Sequence, residues 1–519
     1  MKNLSRVYSI LTKNSKYHFN LLIEGLLIGI VSGIIVSFYR FSLMKAESTL
    51  YYIIPIVKGN IYYILLWFIT LIIMGLIVAY LMKLEPDSKG SGIPQVTAEI
   101  KGYMNQSWWK VLTTKIIGGT ISTLGGLSLG REGPSIQLGA MASKGLSKLL
   151  NSSPTDENRY LLAGSGAGLA ATFNAPLAGL IFTLEEIDHS FNSKIIIVGL
   201  IAAFVSDFIS KLIFGQSTIF SFASPDIPLN YYWLLIILGI IIGFAGYIYN
   251  KGMTGASALW EKYNVPIEIR VVSAFIIAGI CGFYIPQVLA GGHSMVNILE
   301  VAIPSLSVLI ILLVAKWLIS VLSFSSGAPG GIFFPLLVLG AYIGAIFSSI
   351  IIPIFHLNPI FAYKIIIVSM AAMFTATVRS PITGVVLIAE MTGSAHSLVA
   401  LIIVSIFAYM IPTILNNDPI YDSLMKNLVK DNECKYRKGV RPILNEYSIP
   451  FDCKFNGKKL NEIPFPETVL VISIVRDNNY MIPNEDTYLK YNDELFILIE
   501  SERYNRDNKK LEELLNIIR

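Results

Sequence analysis

The chain has 519 residues, of which 54% are hydrophobic and only 14% charged, and its formal net charge is +5. Soluble domains carry about 25% charged residues, so this composition marks an integral membrane protein. It excludes a disordered chain, a secreted disulfide scaffold and a nucleic-acid binder. Cys281, Cys434 and Cys453 are too few and too scattered for a disulfide framework or a zinc site.

The charge is unevenly spread: 30 of the last 89 residues are charged, against 45 of the first 430. A membrane region over 1–426, a charged linker over 427–441 and a small soluble domain over 442–519 are therefore expected. Residues 1–20 carry Lys2, Arg6, Lys13 and Lys16 with no acid, and no small-residue cleavage site follows. That pattern is not a secretory signal, and it favours a cytoplasmic N-terminus. Two free cysteines in the tail suit a reducing cytoplasm. Both termini inside implies an even number of crossings.

About eleven apolar stretches follow in chain order. Those near 21–39, 61–82, 195–214, 232–250, 271–291, 302–323 and 396–416 are uniform enough to span a bilayer, which takes about 20 apolar residues. Those at 111–150, 160–187, 332–356 and 362–392 are cut by Gly and Pro and carry charges. They predict broken or re-entrant helices lining a protected cavity.

Two of these regions repeat two earlier ones. GREGPSIQLGA (130–140) and FNAPLAGLIFTLEE (173–186) return as GAPGGIFFPLLVLGA (327–341) and VRSPITGVVLIAEMTG (378–393). Gly139-Ala140 matches Gly340-Ala341 at an offset of 201, and Pro176/Pro381 and Glu185/Glu390 match at 205. Paired interrupted segments in two halves point to a substrate site where the repeats meet.

Three Gly-rich elements, GSGIPQ (90–95), GREGP (130–134) and GAPGGIFFP (327–335), each lead into helix-compatible sequence. A helix N-terminus presents unpaired N–H donors and about half a positive charge. Several such ends aimed at one point hold a small anion without a buried full cation. Glycine repeats can also serve helix packing alone. Ser91 adds a hydroxyl donor, or simply an N-cap. Tyr421 in DPIYDSL (418–424) adds a phenol, or an interfacial tyrosine. Glu132 sits in an apolar, Gly-rich segment, where a carboxylate is costly and must be paired, protonated or functional. Its neighbour Arg131 is adjacent on the helix and does not face it. Glu185 and Glu186 follow an apolar run, either as functional acids or as a solvated helix end near Asp188. Lys115, Lys316, Arg379 and Glu390 are buried-looking charges; Arg379 and Glu390 read as structural residues of the second repeat, and Lys115 as a source of positive potential.

GSGIP, GREGP and GGIFFP, in this order and on an internal repeat, resemble the CLC chloride channel and transporter family over roughly residues 20–425. The resemblance implies an all-α polytopic membrane protein built from two inverted-topology repeats of tilted and broken helices. It also implies a homodimer with one anion pathway per subunit. By resemblance, Ser91 and Tyr421 are chloride ligands, and serine rather than proline at 91 goes with chloride rather than nitrate. The backbone N–H groups of Ile332 and Phe333, and those of the Arg131–Gly133 segment, face the anion. Glu132 is the gating glutamate, which occupies the anion site and swings out when protonated. Glu186, the second acid of its pair, is the inner proton-transfer residue of the exchangers. Gln95 departs from many relatives and the bulky Phe334 from some, and the fluoride-exporter signature is absent because Pro134 completes GREGP.

In the tail, VLVISIVRD (469–477) and the end of MIPNEDTYLKYNDELFILIE (481–500) predict strands, and 505–518 a short amphipathic helix. With NGKKLNEI (456–463), these segments resemble the TrkA-C domain of potassium-transport regulators. That implies a small α/β cytoplasmic domain that dimerises and can bind small ligands, including cyclic dinucleotides, or else a module without a ligand. The expected function is exchange of chloride for protons, with a passive chloride channel as the alternative. No enzyme, cofactor or metal site is expected, since no nucleotide loop, metal cluster or nucleophile–base pair is present and only 5 histidines occur.

Overall fold

The apolar stretches become helices in a computed structural model. It describes residues 2–432 and 443–515, less positions 153, 191, 217, 221, 223–224, 226, 394–397, 451–452, 477–478 and 500–503, with side chains from Phe19 onward except at 154–155, 430–432, 443, 479–480, 504–505 and 509. The chain divides into two compact units, Met1–Lys430 and Asp431–Arg519. The expected linker over 427–441 begins as helix, since Ile420–Asn432 is continuous, and its remainder lies outside the described residues.

Among the described residues, eight helices are long and apolar enough to cross a membrane. Their outer faces are apolar: Leu65, Leu66, Ile69 and Ile73 of the helix Ile61–Leu84 are exposed, as lipid contact demands. The first span is longer than the expected 21–39, because one helix runs unbroken from Lys2 to Lys58.

The punctuated stretches break where glycine and proline sit. Stretch 111–150 holds the helices Trp108–Leu124 and Glu132–Leu149, separated at the GREGP motif. Stretch 160–187 breaks at Asn174 and resumes at Pro176, and 362–392 breaks at Arg379 and resumes at Pro381. Proline at a helix start loses no hydrogen bond and pre-sets φ. Stretch 332–356 differs from expectation, since Phe333–Phe355 is one continuous helix. Pro335 lies in its first turn, where the N–H has no intrahelical partner, and Pro353 lies in its last turn.

Two helices are short, of 8 and 9 residues. Ile93–Ile100 and His293–Val301 each begin after a glycine in the left-handed region, Gly92 at φ 98° and Gly292 at φ 102°. They are repeat equivalents. The backbone sewing is paired as well: Gly90 N–H donates to Gly327 O, and Ala290 N–H to Gly126 O, both at 3.4 Å. Lys115 donates to Ser88 O and Gly90 O, while Lys316 donates to Val288 O and Ala290 O. Each fully buried ammonium thus caps the chain reversal that precedes one short helix.

In the tail, β1 (Ile443–Ser448), β2 (Val469–Arg476), β3 (Asn479–Met481) and β4 (Glu494–Ile499) form one sheet in the order β1-β4-β2-β3, and every neighbouring pair is antiparallel. The inward alternation of Leu495, Ile497 and Ile499 meets Leu511 and Leu515 of the helix Tyr504–Leu515.

Candidate functional site

The two repeats touch at glycine. Gly130 and Gly331 exchange N–H···O bonds of 2.6 and 2.7 Å, and Gly330 N–H donates to Gly90 O at 3.0 Å. The three Gly-rich elements are therefore bonded to one another. Arg131 and Ile332 take the N-cap positions of the two long buried helices.

Glu132 opens the first of these helices and is fully buried. Its Oε2 accepts the Phe334 N–H of the opposite repeat at 3.3 Å, and Oε1 has no partner. A carboxylate thus occupies the mouth of a helix N-terminus, where an anion is favoured. Arg131 makes no ion-pair contact among the described residues, and it acts on Glu132 only at longer range.

Ser91 abuts Gly133, where any Cβ would collide with the Ser91 hydroxyl and carbonyl. Glycine at 133 therefore sets how closely Ser91 approaches the Glu132 helix. Ser91 is not the N-cap, since Gly92 takes that position. Its hydroxyl and that of Tyr421 approach each other, yet both are buried without a hydrogen-bond partner. Buried polar groups are almost always paired. Two adjacent unpaired donors beside a helix N-terminus suit an anion. Tyr421 lies within electrostatic range of both Glu132 and Glu186.

Ile332 and Phe333 are buried, and the Phe333 ring packs against Phe173, Phe182 and Phe374 with centroids 5.2, 6.2 and 4.6 Å away. The Phe333 side chain is therefore packing, and the backbone donor of this segment that reaches Glu132 is the Phe334 N–H. Phe334 is stacked on His293 with ring centroids 4.0 Å apart.

Glu186 lies on a π-helical turn, Thr183–Asp188, and is buried. Its Oε2 accepts the Ser380 hydroxyl at 2.5 Å. No local motif singles out Ser380. The available signal was its pairing with Ala175 across the repeat, a polar residue where the other copy has a methyl. Glu185 behaves differently from its neighbour: its carboxylate accepts the N–H groups of Ile382 and Thr383, capping the Pro381 helix. Glu390 accepts those of Leu177 and Ala178, capping the Pro176 helix. Each repeat supplies the cap of the other. A second unexpected group is the Glu99–Lys144 ion pair, buried on both sides and joined by Gln106.

The inverted-repeat helical fold and this junction define a membrane transport protein. A sequence profile described as voltage gated chloride channel matches residues 74–413, and the chain belongs to that family. A TrkA-C domain profile matches residues 444–511. The H(+)/Cl(-) exchange transporter ClcA of Vibrio parahaemolyticus is 30% identical over 433 residues, covering 80% of this chain and 91% of its own. ClcA of Vibrio cholerae is 32% identical over 434 residues, covering 80% and 92%. Among solved structures, a slow cyanobacterial Cl-/H+ antiporter has 26% identity and a TM-score of 0.75, covering 80% of this chain and 99% of its own. A eukaryotic CLC transporter at 20% identity shares the fold, with a TM-score of 0.68 over 86% of this chain and 78% of its own.

Proposed function

We propose that the protein exchanges chloride for protons across a membrane. The observation that carries this is the pairing of an anion site with a competing carboxylate. Glu132 sits in the hydrogen-bonding reach of a helix N-terminus, beside the unpaired hydroxyls of Ser91 and Tyr421. The naming of its relatives as H(+)/Cl(-) exchange transporters and Cl-/H+ antiporters supports the same conclusion.

Chloride is held by the Ser91 and Tyr421 hydroxyls and by backbone N–H groups of Arg131–Gly133 and of Ile332 and Phe333. Deprotonated, Glu132 fills the anion position itself. Protonated, it loses its attraction for the helix termini and yields the place to chloride. Glu186, within electrostatic range of Tyr421, passes protons between the other side and the junction. One carboxylate thus links the occupancy of both ions. The protein acts as a homodimer with both termini in the cytoplasm. Its tail, 442–519, is a regulatory domain that binds a small ligand such as a cyclic dinucleotide.

Purified protein in liposomes tests this. Under a chloride gradient with voltage controlled, wild type moves protons against their own gradient. Glu132→Gln keeps chloride flux and loses proton movement. Chloride flux from wild type without coupled protons would leave a passive channel.

A further inference from the structure

We propose that Ser380 is a positioning residue for Glu186, holding its carboxyl in one place through both protonation states. This rests on the exchanger function proposed above and names a further part of its proton route.

Ser380 is the N-cap of the helix Pro381–Thr392, yet its side chain makes no capping bond. Serine at an N-cap ordinarily bonds the N–H two or three residues on. Here those donors, Ile382 and Thr383, are already taken by Glu185. The Ser380 hydroxyl is thereby released, and it turns to Glu186 at 2.5 Å. Both groups are buried.

The other repeat supplies an internal control. Ala175 is the N-cap of the helix Pro176–Phe182, and Glu390 caps Leu177 and Ala178 in the same way. Met391 stands where Glu186 stands. A helix start of this geometry therefore does not need serine. Serine stands across the repeat junction from the acid Glu186, and alanine stands at the equivalent place in the copy whose partner position is Met391.

A hydroxyl suits this task because it donates to a carboxylate and accepts from a carboxylic acid. It serves both states without adding charge. A lysine in its place would fix the carboxylate charged. The other charged and titratable groups acting on Glu186 are Glu185 on the same turn, Asp422 and Tyr421 on the helix Ile420–Asn432, and Lys101 after the helix Ile93–Ile100. Among these groups Ser380 is the hydroxyl that donates directly to the Glu186 carboxylate.

Ser380→Ala, Ser380→Thr and Ser380→Ala in the Glu186→Gln background test this in liposomes. Ser380→Ala is expected to keep chloride flux within about twofold while proton flux falls about tenfold. Its midpoint should move about one pH unit alkaline on the side Glu186 faces, as loss of one charge-assisted hydrogen bond requires. Ser380→Thr should restore both. In the Glu186→Gln background, Ser380→Ala should change nothing further. Unaltered coupling and pH profile in Ser380→Ala would overturn the assignment. So would an equal loss of flux with and without Glu186, which would mark a merely structural serine. Infrared difference spectra of the purified protein, with the Glu186 carboxyl band assigned through Glu186→Gln, give a readout independent of transport. A band that shifts in Ser380→Ala supports the assignment even if wild type moves no protons, and an unmoved band rejects it.

Discussion

The two repeats share one frame and differ in nearly every residue proposed to do chemistry. Lys115 and Lys316 cap equivalent chain reversals, Gly92 and Gly292 start equivalent short helices, and Glu185 and Glu390 cap each other's partner helix. At the positions that matter for ions the symmetry fails. Glu132 faces the equivalent Phe333, Glu186 the equivalent Met391, and Ser380 the equivalent Ala175. The shared residues satisfy backbone groups that both copies must bury. The unshared ones place the two carboxylates in the first copy and the Ser380 hydroxyl in the second, with Phe333, Met391 and Ala175 at the equivalent positions. In the exchange proposed here, a symmetric frame with asymmetric side chains would give one route for protons around one anion site.

The comparison breaks most sharply at Glu132. Glu132→Gln should abolish proton coupling while chloride still flows. Phe333→Leu, at the equivalent place in the other repeat, should leave coupling intact and lower only the thermal stability measured in detergent. Loss of coupling in both would mean that the repeats are functionally symmetric after all.

The frame itself is tested by its buried charges. Lys144→Met removes one partner of a buried ion pair and should destabilise the protein by about 3–5 kcal/mol, because Glu99 is left without its counter-ion in the interior. Chemical unfolding in mild detergent measures this, and Lys144→Met with Glu99→Gln should recover much of the loss. Smaller and matched effects are expected for the reciprocal caps. Glu185→Ala and Glu390→Ala should each cost about 1–2 kcal/mol, the size of a lost helix cap. Unequal costs would show that the two helix starts are not held alike. Least of all, Lys459→Ala in the tail removes an exposed ion pair to Asp486 and should change stability by less than about 1 kcal/mol.

Much of this was legible in the sequence. The glycine motifs and the repeat offsets announce a shared frame because glycine and proline act locally, fixing turns and helix starts wherever they occur. Glu132 and Glu186 stand out because acids are costly in apolar surroundings. What was not legible depends on contacts far apart in the chain. Ser380 meets Glu186 across 194 residues and Glu390 meets Ala178 across 212, so no local pattern signals either. The break expected within 332–356 was misplaced because Pro335 falls in the first turn of its helix, where proline is tolerated. Ser91 suggested an N-cap, but the left-handed turn at Gly92 moves the cap one residue on and leaves the serine hydroxyl unpaired.

The most direct test of the central claim is proton movement driven by chloride alone. Protein in liposomes is given a chloride gradient, no pH gradient and a clamped voltage, and internal pH is followed. Uphill proton movement that disappears in Glu132→Gln is the result predicted here. Chloride flux with no proton movement in wild type would contradict it.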